Sequence, residues 1–253
     1  MKKLFVSALA IASLVACSMD ETVGTQADPA IAFDGVFVEN ATRANDPSTT
    51  TGNIGEFYVW SVMDNENGIV FDDEKVWKSG EKWAYAETQY WTPGHTYYFS
   101  AIAGDRSNNQ IVLDYAAAAG MDKAGLGTAT FTNVDGTNDF LYAEHKATIE
   151  KPLAAAPEAV SFQFAHLLSK VKFTFENGFT NKNTTVVVKD IAMKVPATGE
   201  IDLTADALAW ANQNGSVTLD MGHLALGAHV EAGTSAATDN ERLTIPAPAS
   251  QEY

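Results

Sequence analysis

The chain has 253 residues, 46% hydrophobic and 19% charged, with a formal charge of −16. This length supports one or two domains with a buried core. A body so acidic repels phosphate backbones and anionic headgroups, which argues against nucleic acid or a peripheral membrane surface as partner. The one cysteine, Cys17, leaves no disulfide to form within the chain.

Residues 1–16, MKKLFVSALAIASLVA, put a basic tip before an apolar run too short for a bilayer span, the pattern of a secretory leader. Leu14-Val15-Ala16-Cys17 resembles a bacterial lipobox. The resemblance implies cleavage between Ala16 and Cys17 and lipidation of the Cys17 thiol with diacylglycerol and palmitate. Each buried methylene of such chains contributes about 0.8 kcal/mol, so several chains anchor durably. Without Lys2 and Lys3 the body carries −18. Ser18-Met19-Asp20-Glu21 is similar to the acidic surface-export signals of Bacteroidetes-type lipoproteins. Residues 17–30 read as a polar tether.

Residues 31–38, IAFDGVFV, predict a strand whose phase Gly35 breaks. Residues 39–53 are rich in Asn, Thr, Pro and Gly, predict an exposed loop, and contain Arg43. Residues 54–62 predict a strand, 64–68 a turn, and the run to Glu87 short strands and turns. The window 57–99 holds twelve of the 26 aromatic residues, among them Trp60, Trp77, Trp83, Trp91, Tyr97, Tyr98 and Phe99. Sugar stacking would need several of these rings coplanar and exposed; a β-sandwich core built of large rings is the plainer reading. YYFSAIA (97–103) predicts a buried strand and DRSNN (105–109) a turn. LDYAAAAGMDKAG reads as a short helix or an alanine-rich loop. ATFTNV and DFLYAEH read as the last strands of a first unit. The Pro/Ala-rich stretch 151–158 predicts a domain boundary, dividing the chain into units 31–157 and 158–253.

In Val160–Glu176, VSFQFAHLLSKVKFTFE, apolar and polar residues alternate, as in a strand with one buried face. Val160, Phe162, Phe164 and Leu168 keep one parity; Val171, Phe173 and Phe175 keep the other. A one-residue slip inverts a strand unless an extra residue absorbs it, so a bulge or sharp bend is predicted between Leu167 and Lys170. Beyond it, TTVVVKDIAMKV, EIDLTA, GSVTLDM and RLTI are short and separated by Gly, Asn and Pro. This spacing predicts an all-β sandwich and not a βαβ pattern.

No cofactor or metal site is predicted, and the chain does not read as an enzyme. The five histidines, His95, His145, His166, His223 and His229, lack metal-ligand spacing. Asn133–Asp139 is oxygen-rich like a calcium loop but lacks its spacing and distant glutamate, so a hairpin turn fits better. Ser79-Gly80-Glu81-Lys82 fits an SxxK pattern inside a turn-rich segment, with no KTG to follow.

The leader, Ala41-Thr42-Arg43-Ala44, the run Trp83–Pro93, YYFSAIA, Asp139-Phe140-Leu141-Tyr142-Ala143 and Phe164-Ala165-His166-Leu167-Leu168-Ser169-Lys170-Val171 together resemble the fimbrillin family, the Mfa-like and FimA-like type V pilus subunits of the Bacteroidales. The likeness covers about residues 1–220. It implies two tandem transthyretin-like β-sandwiches, with Val160–Glu176 opening the second. It also implies surface export as an outer-membrane lipoprotein and assembly by strand exchange. Proteolysis after Arg43 would remove the strand at about Ala30–Glu39 and open an apolar groove, which a neighbouring subunit's strand fills. The implied partners are other fimbrial subunits, the outer membrane through the lipid, and a surface glycan or protein. The family runs on for further strands and its end supplies the donor. Here Pro246 and Pro248 would spoil a long strand. The chain then reads either as a fragment or shortened homologue, or as a tip or anchor subunit that accepts a strand without giving one. A surface glycan-binding lipoprotein, suggested by Trp77, Trp83 and Trp91, is the alternative function.

Overall fold

A computed structural model describes residues 28–38, 54–64, 68–114, 126–224 and 229–246. The strands in chain order are β1 (Phe33–Val38), β2 (Glu56–Met63), β3 (Ile69–Ser79), β4 (Lys82–Ala84), β5 (His95–Ala103), β6 (Ile111–Asp114), β7 (Thr128–Thr132), β8 (Leu141–Ile149) and β9 (Val160–His166). The C-terminal half adds β10 (Ser169–Val171), β11 (Thr174–Glu176), β12 (Thr185–Val187), β13 (Ala192–Val195), β14 (Thr198–Asp202), β15 (Trp210–Asn214), β16 (Val217–Asp220), β17 (His229–Glu231), β18 (Ser235–Ala237) and β19 (Arg242–Thr244). Helical structure among the described residues is limited to a 3₁₀ turn at Ser107–Asn109. No described helix is long and apolar enough to cross a membrane.

The architecture is all-β and sandwich-like, as expected. Seven strands form one sheet in the order β1-β9-β8-β5-β2-β3-β4. Successive side chains of a strand face opposite ways, so each strand feeds two layers. One face carries Phe57 and Val59 of β2, Phe71 and Val76 of β3, Phe99 and Ala101 of β5, and Phe162 and Phe164 of β9, all in one buried cluster. The sheet rolls around this cluster until its ends meet. The strip 29–38 closes the roll: Ile31 N–H donates to the Gln89 carbonyl (2.8 Å) and Trp91 N–H to the Pro29 carbonyl (2.9 Å), while β1 runs parallel to β9.

The other face presents Trp60, Ile102 and Tyr142. A four-stranded sheet, β15-β14-β7-β6, covers them with Ile111, Ala129, Phe131 and Ile201. A third cluster, with Leu219 and Met221 fully buried, lies within the C-terminal ribbons. These ribbons are the antiparallel pairs β10–β19, β11–β18, β12–β17 and β13–β16.

Strand pairing runs across the expected division at 157/158. β9 lies between β1 and β8 in the seven-stranded sheet, and β7, expected as a late strand of the first unit, pairs with β14 from the second. The Pro/Ala stretch 151–158 is the wide loop between antiparallel neighbours β8 and β9. Alternation shows that Val160, Phe162 and Phe164 share a face; it does not show which sheet owns that face. The predicted bend falls at Leu167–Leu168, outside any strand. There the chain leaves the large sheet, and the change of phase marks a change of core.

Candidate functional site

β1 is an edge strand with an unusual attachment. Its parallel ladder to β9 pairs Phe33 with Val160 and Asp34 with Ser161, slips, then resumes with Phe37 to Gln163 and Val38 to Phe164. The slip falls at Gly35, which takes φ 58°, a conformation that costs glycine little. Gly35 N–H bonds the Asp34 carboxylate (2.7 Å), and the Ser161 hydroxyl donates to the Gly35 carbonyl (2.8 Å). The strip is held mainly by side chains. Ile31, Phe33 and Val36 are buried. The Phe33 ring sits 5.8 Å from Phe57, 5.6 Å from Phe71, 5.6 Å from Tyr85 and 6.0 Å from Phe162, centroid to centroid. The Tyr85 hydroxyl donates to the Ile31 carbonyl (2.7 Å), and burial raises its pKa. Each of the three apolar side chains contributes on the order of 1.5–3 kcal/mol by burial. Beneath β1 lies a trough lined by phenylalanine and tyrosine rings.

Two of the motifs that carry the family likeness, Asp139–Ala143 and Phe164–Val171, meet at the joint between the large sheet and the ribbons. Asp139 Oδ2 bonds His166 Nδ1 at 2.6 Å, and Asp139 Oδ1 accepts the Phe140 N–H at 2.9 Å. Phe140 and Tyr142 enter the second core, while Leu141 and Ala143 enter the first. Phe164 ends the first core, and Leu167 and Leu168 join the second. Leu167 N–H donates to the Phe140 carbonyl (2.9 Å), and the Trp210 indole donates to the Leu167 carbonyl (2.7 Å). Val171 then packs on the third core, and Lys170 pairs with Glu241. The Tyr142 hydroxyl lies 2.5 Å from a Glu144 carboxylate oxygen, to which it donates, and 3.1 Å from the Leu203 carbonyl, and burial pushes its pKa far upward. The run from Phe164 to Val171 thus touches three cores in eight residues. Sequence patterning gave no sign that Asp139 is the partner of His166.

Of the sequence-predicted site residues, Ala16, Cys17 and Arg43 lie outside the described residues. The tryptophans do not form one exposed platform. Trp91 is 1% exposed and packs on Tyr97, and Trp60 is buried. Trp83 packs edge-on against Phe57, while Trp77 is partly exposed. Asn133–Asp139 is not the expected hairpin turn: it carries the chain from β7 in the four-stranded sheet to β8 in the seven-stranded one, and within it Asn133 Oδ1 accepts the Gly136 N–H and Asp135 Oδ1 accepts from Thr137 N–H and Oγ1. The Asn133 and Asp135 oxygens are taken up within the segment, Asn138 Oδ1 by the Asp105 N–H and Asp139 Oδ2 by His166. Ser79 and Lys82 face each other across the β3–β4 hairpin, with Gly80 at φ 66° in the turn. No group of three or more His, Cys, Asp or Glu among the described residues is placed to hold a metal ion.

The fold and its edge define a sandwich-like β protein whose first sheet is closed by its own N-terminal strip. A family model described as fimbrillin-like matches residues 42–252. The chain belongs to the fimbrillin-like family, a family of fimbrial subunits. No protein with a curated description matches it. Solved structures similar to it include the fimbrial anchor protein Mfa2 from Porphyromonas gingivalis, at 12% identity over 87% of this chain and 74% of that one, with a TM-score of 0.44. A candidate cell adhesion protein from Bacteroides uniformis is 15% identical over 87% and 76% (TM-score 0.42), and a candidate adhesin from Bacteroides ovatus 11% over 96% and 77% (TM-score 0.41).

Proposed function

We propose that this chain is a structural or adhesive subunit of a cell-surface fimbria, exported as a lipoprotein anchored through Cys17 and assembled by strand exchange. In this reading β1 is the strand that is given up. The observation that carries it is the attachment of β1: an edge strand with a broken parallel ladder over a ring-lined trough. A single cut after Arg43, in the connection between β1 and β2, separates both Cys17 and β1 from the body. Loss of β1 leaves the backbone edge of β9 unpaired and empties the pockets of Ile31, Phe33 and Val36. A strand from a neighbouring subunit satisfies both. A donor running antiparallel to β9 without a slip would make a more regular ladder than β1 does. Head-to-tail donation does not close on itself, so it builds a filament.

Arg43→Ala tests this. The wild-type chain is expected to lose its lipid label on processing and to run as a detergent-resistant ladder. The variant is expected to stay monomeric and lipid-labelled, and a Cys17→Ser variant to take no palmitate. Normal ladders from Arg43→Ala would sink the cleavage step.

A further inference from the structure

We propose that a cleft at the β6 edge of the four-stranded sheet, on the Trp60 face of β2, binds a neutral saccharide unit of one or two rings. The cleft encloses about 400 Å³ and is lined by Trp60, Asp73, Arg106, Asn109, Val112 and Leu113, among others. That is within the size of small-ligand sites, roughly 300–1,000 Å³.

Backbone that is unusual elsewhere in the chain converges here. Five described residues other than glycine have positive φ, and three of them, Asp73 (54°), Asn108 (54°) and Asn109 (55°), belong to this cleft or its rim. Asp73 sits in a bulge of β3: Val59 pairs with Glu74 and Ser61 with Phe71, so Asp72 and Asp73 are left opposite Trp60. A bulge re-aims a side chain that a regular strand would send elsewhere. The loop carrying Arg106 and Asn109 is clamped at its base. Asp105 N–H donates to Asn138 Oδ1 and Asn138 Nδ2 donates to the Asp105 carbonyl, both at 2.8 Å. Gly104, at φ 142°, lies so close to the Asp139 carbonyl that a Cβ would stand 2.2 Å from its oxygen. A clamped loop has little ordering entropy left to lose on binding.

The electrostatics select the ligand class. Arg106 places its guanidinium 4.5 Å from the Tyr58 ring centroid and 5.6 Å from that of Trp60, and pairs with both Asp73 oxygens. The two charges cancel, so an ionic ligand gains little net attraction, and an anion is further opposed by the chain's −16. What remains is a set of planar forks, guanidinium, carboxylate and amide, whose donors and acceptors match vicinal hydroxyls. Ile111 and Leu113, on the same side of β6, supply an apolar wall for the C–H face of a sugar. Tyr58 and Trp60 point away from the trough that Phe57 lines, because neighbours on a strand face opposite ways. The cleft and the β1 groove therefore lie on opposite faces of β2.

The test is a glycan array probed with the full chain, followed by calorimetry with a retained neutral mono- or disaccharide. Asn109→Gly keeps the positive φ comfortable and removes the amide. It is expected to weaken binding at least tenfold with an unchanged melting temperature. Asp73→Asn, which also tolerates positive φ, is expected to weaken it as well. The Arg43→Ala protein is expected to bind like wild type whatever its state of assembly, so failure here is distinguishable from failure of strand exchange. Retention of no glycan, retention of sialylated or sulfated glycans alone, or full binding by Asn109→Gly would overturn the proposal.

Discussion

Phe162 and Phe164 in β9 and Phe173 and Phe175 a few residues later belong to one run of alternating residues, yet they meet different fates. The first two are completely buried; the second two are only partly buried. β9 has a neighbour on each side and is crossed by Phe33 and Phe57 from β1 and β2. β11 pairs with β18 alone among the described strands, and Phe173 and Phe175 pack on the third core from its margin. Alternation establishes that a strand has an apolar face. The number of strands that flank and cover it establishes how deep the face lies. Two-stranded ribbons are marginal by themselves, so the C-terminal region depends on its joint to the large sheet.

The comparison can be broken most directly by truncating one ring on each side. Phe162→Ala is expected to cost about 3–5 kcal/mol, the usual loss for a large core ring that leaves a cavity. Phe175→Ala is expected to cost about 1–2 kcal/mol, since part of its surface is already in water. Urea unfolding of the two variants measures this, and equal losses would show that the ribbons are as deeply packed as the roll. Next in size is the joint. Asp139→Ala removes the partner of a His166 side chain that is 6% exposed and uncaps Phe140. A loss of about 2 kcal/mol is expected, typical of a charged hydrogen bond within the protein. Hydrogen exchange should quicken in β10 and β11 more than in β5. A uniform change across both regions would mean that the joint is not what holds the ribbons in place.

What the chain reveals without coordinates follows the same division. β1, β2, β5 and β9 are legible because aromatic and β-branched residues alternate in them and the sheet buries that face. β15, β17 and β18, with sequences WANQN, HVE and SAA, carry no such signal. They are strands because a neighbour offers a ladder. Strands pair across the expected boundary at 157/158, and the prolines there lie in the loop between β8 and β9; prolines mark a loop equally well between units or between neighbouring strands. The outer cleft is invisible in sequence: DRSNN reads as a turn, and nothing in IVFDDEKVW announces that Asp73 bulges toward Arg106. The Asp139–His166 pair shows only as two separate motifs 27 residues apart.

Acid should separate the two regions by smaller amounts. His145 lies in β8 between Phe99 and Phe162, with ring centroids 6.1 and 6.4 Å away, and burial lowers its pKa below the ordinary 6.5. The unfolded chain then takes up a proton that the folded chain resists. This part of the stability is whole above pH 6.5 and is lost as pH falls through and below that value. In the ribbons the Lys170 ammonium, with Lys172 behind it, holds the Glu241 carboxyl below its ordinary 4.5. That contribution is present above pH 4.5 and disappears as pH falls further. With Glu241 39% exposed, solvent screening keeps it below about 1 kcal/mol. The roll should therefore begin to soften in the histidine range and the ribbons only in the carboxylate range. Unfolding midpoints between pH 7.5 and 3.5 read this out. His145→Asn should flatten the slope between pH 6.5 and 5, and Glu241→Gln should flatten it only below 4.5. If Glu241→Gln instead altered the upper window, the two regions would titrate as one unit, and the contrast between a deep core and a shallow one would lose its energetic meaning.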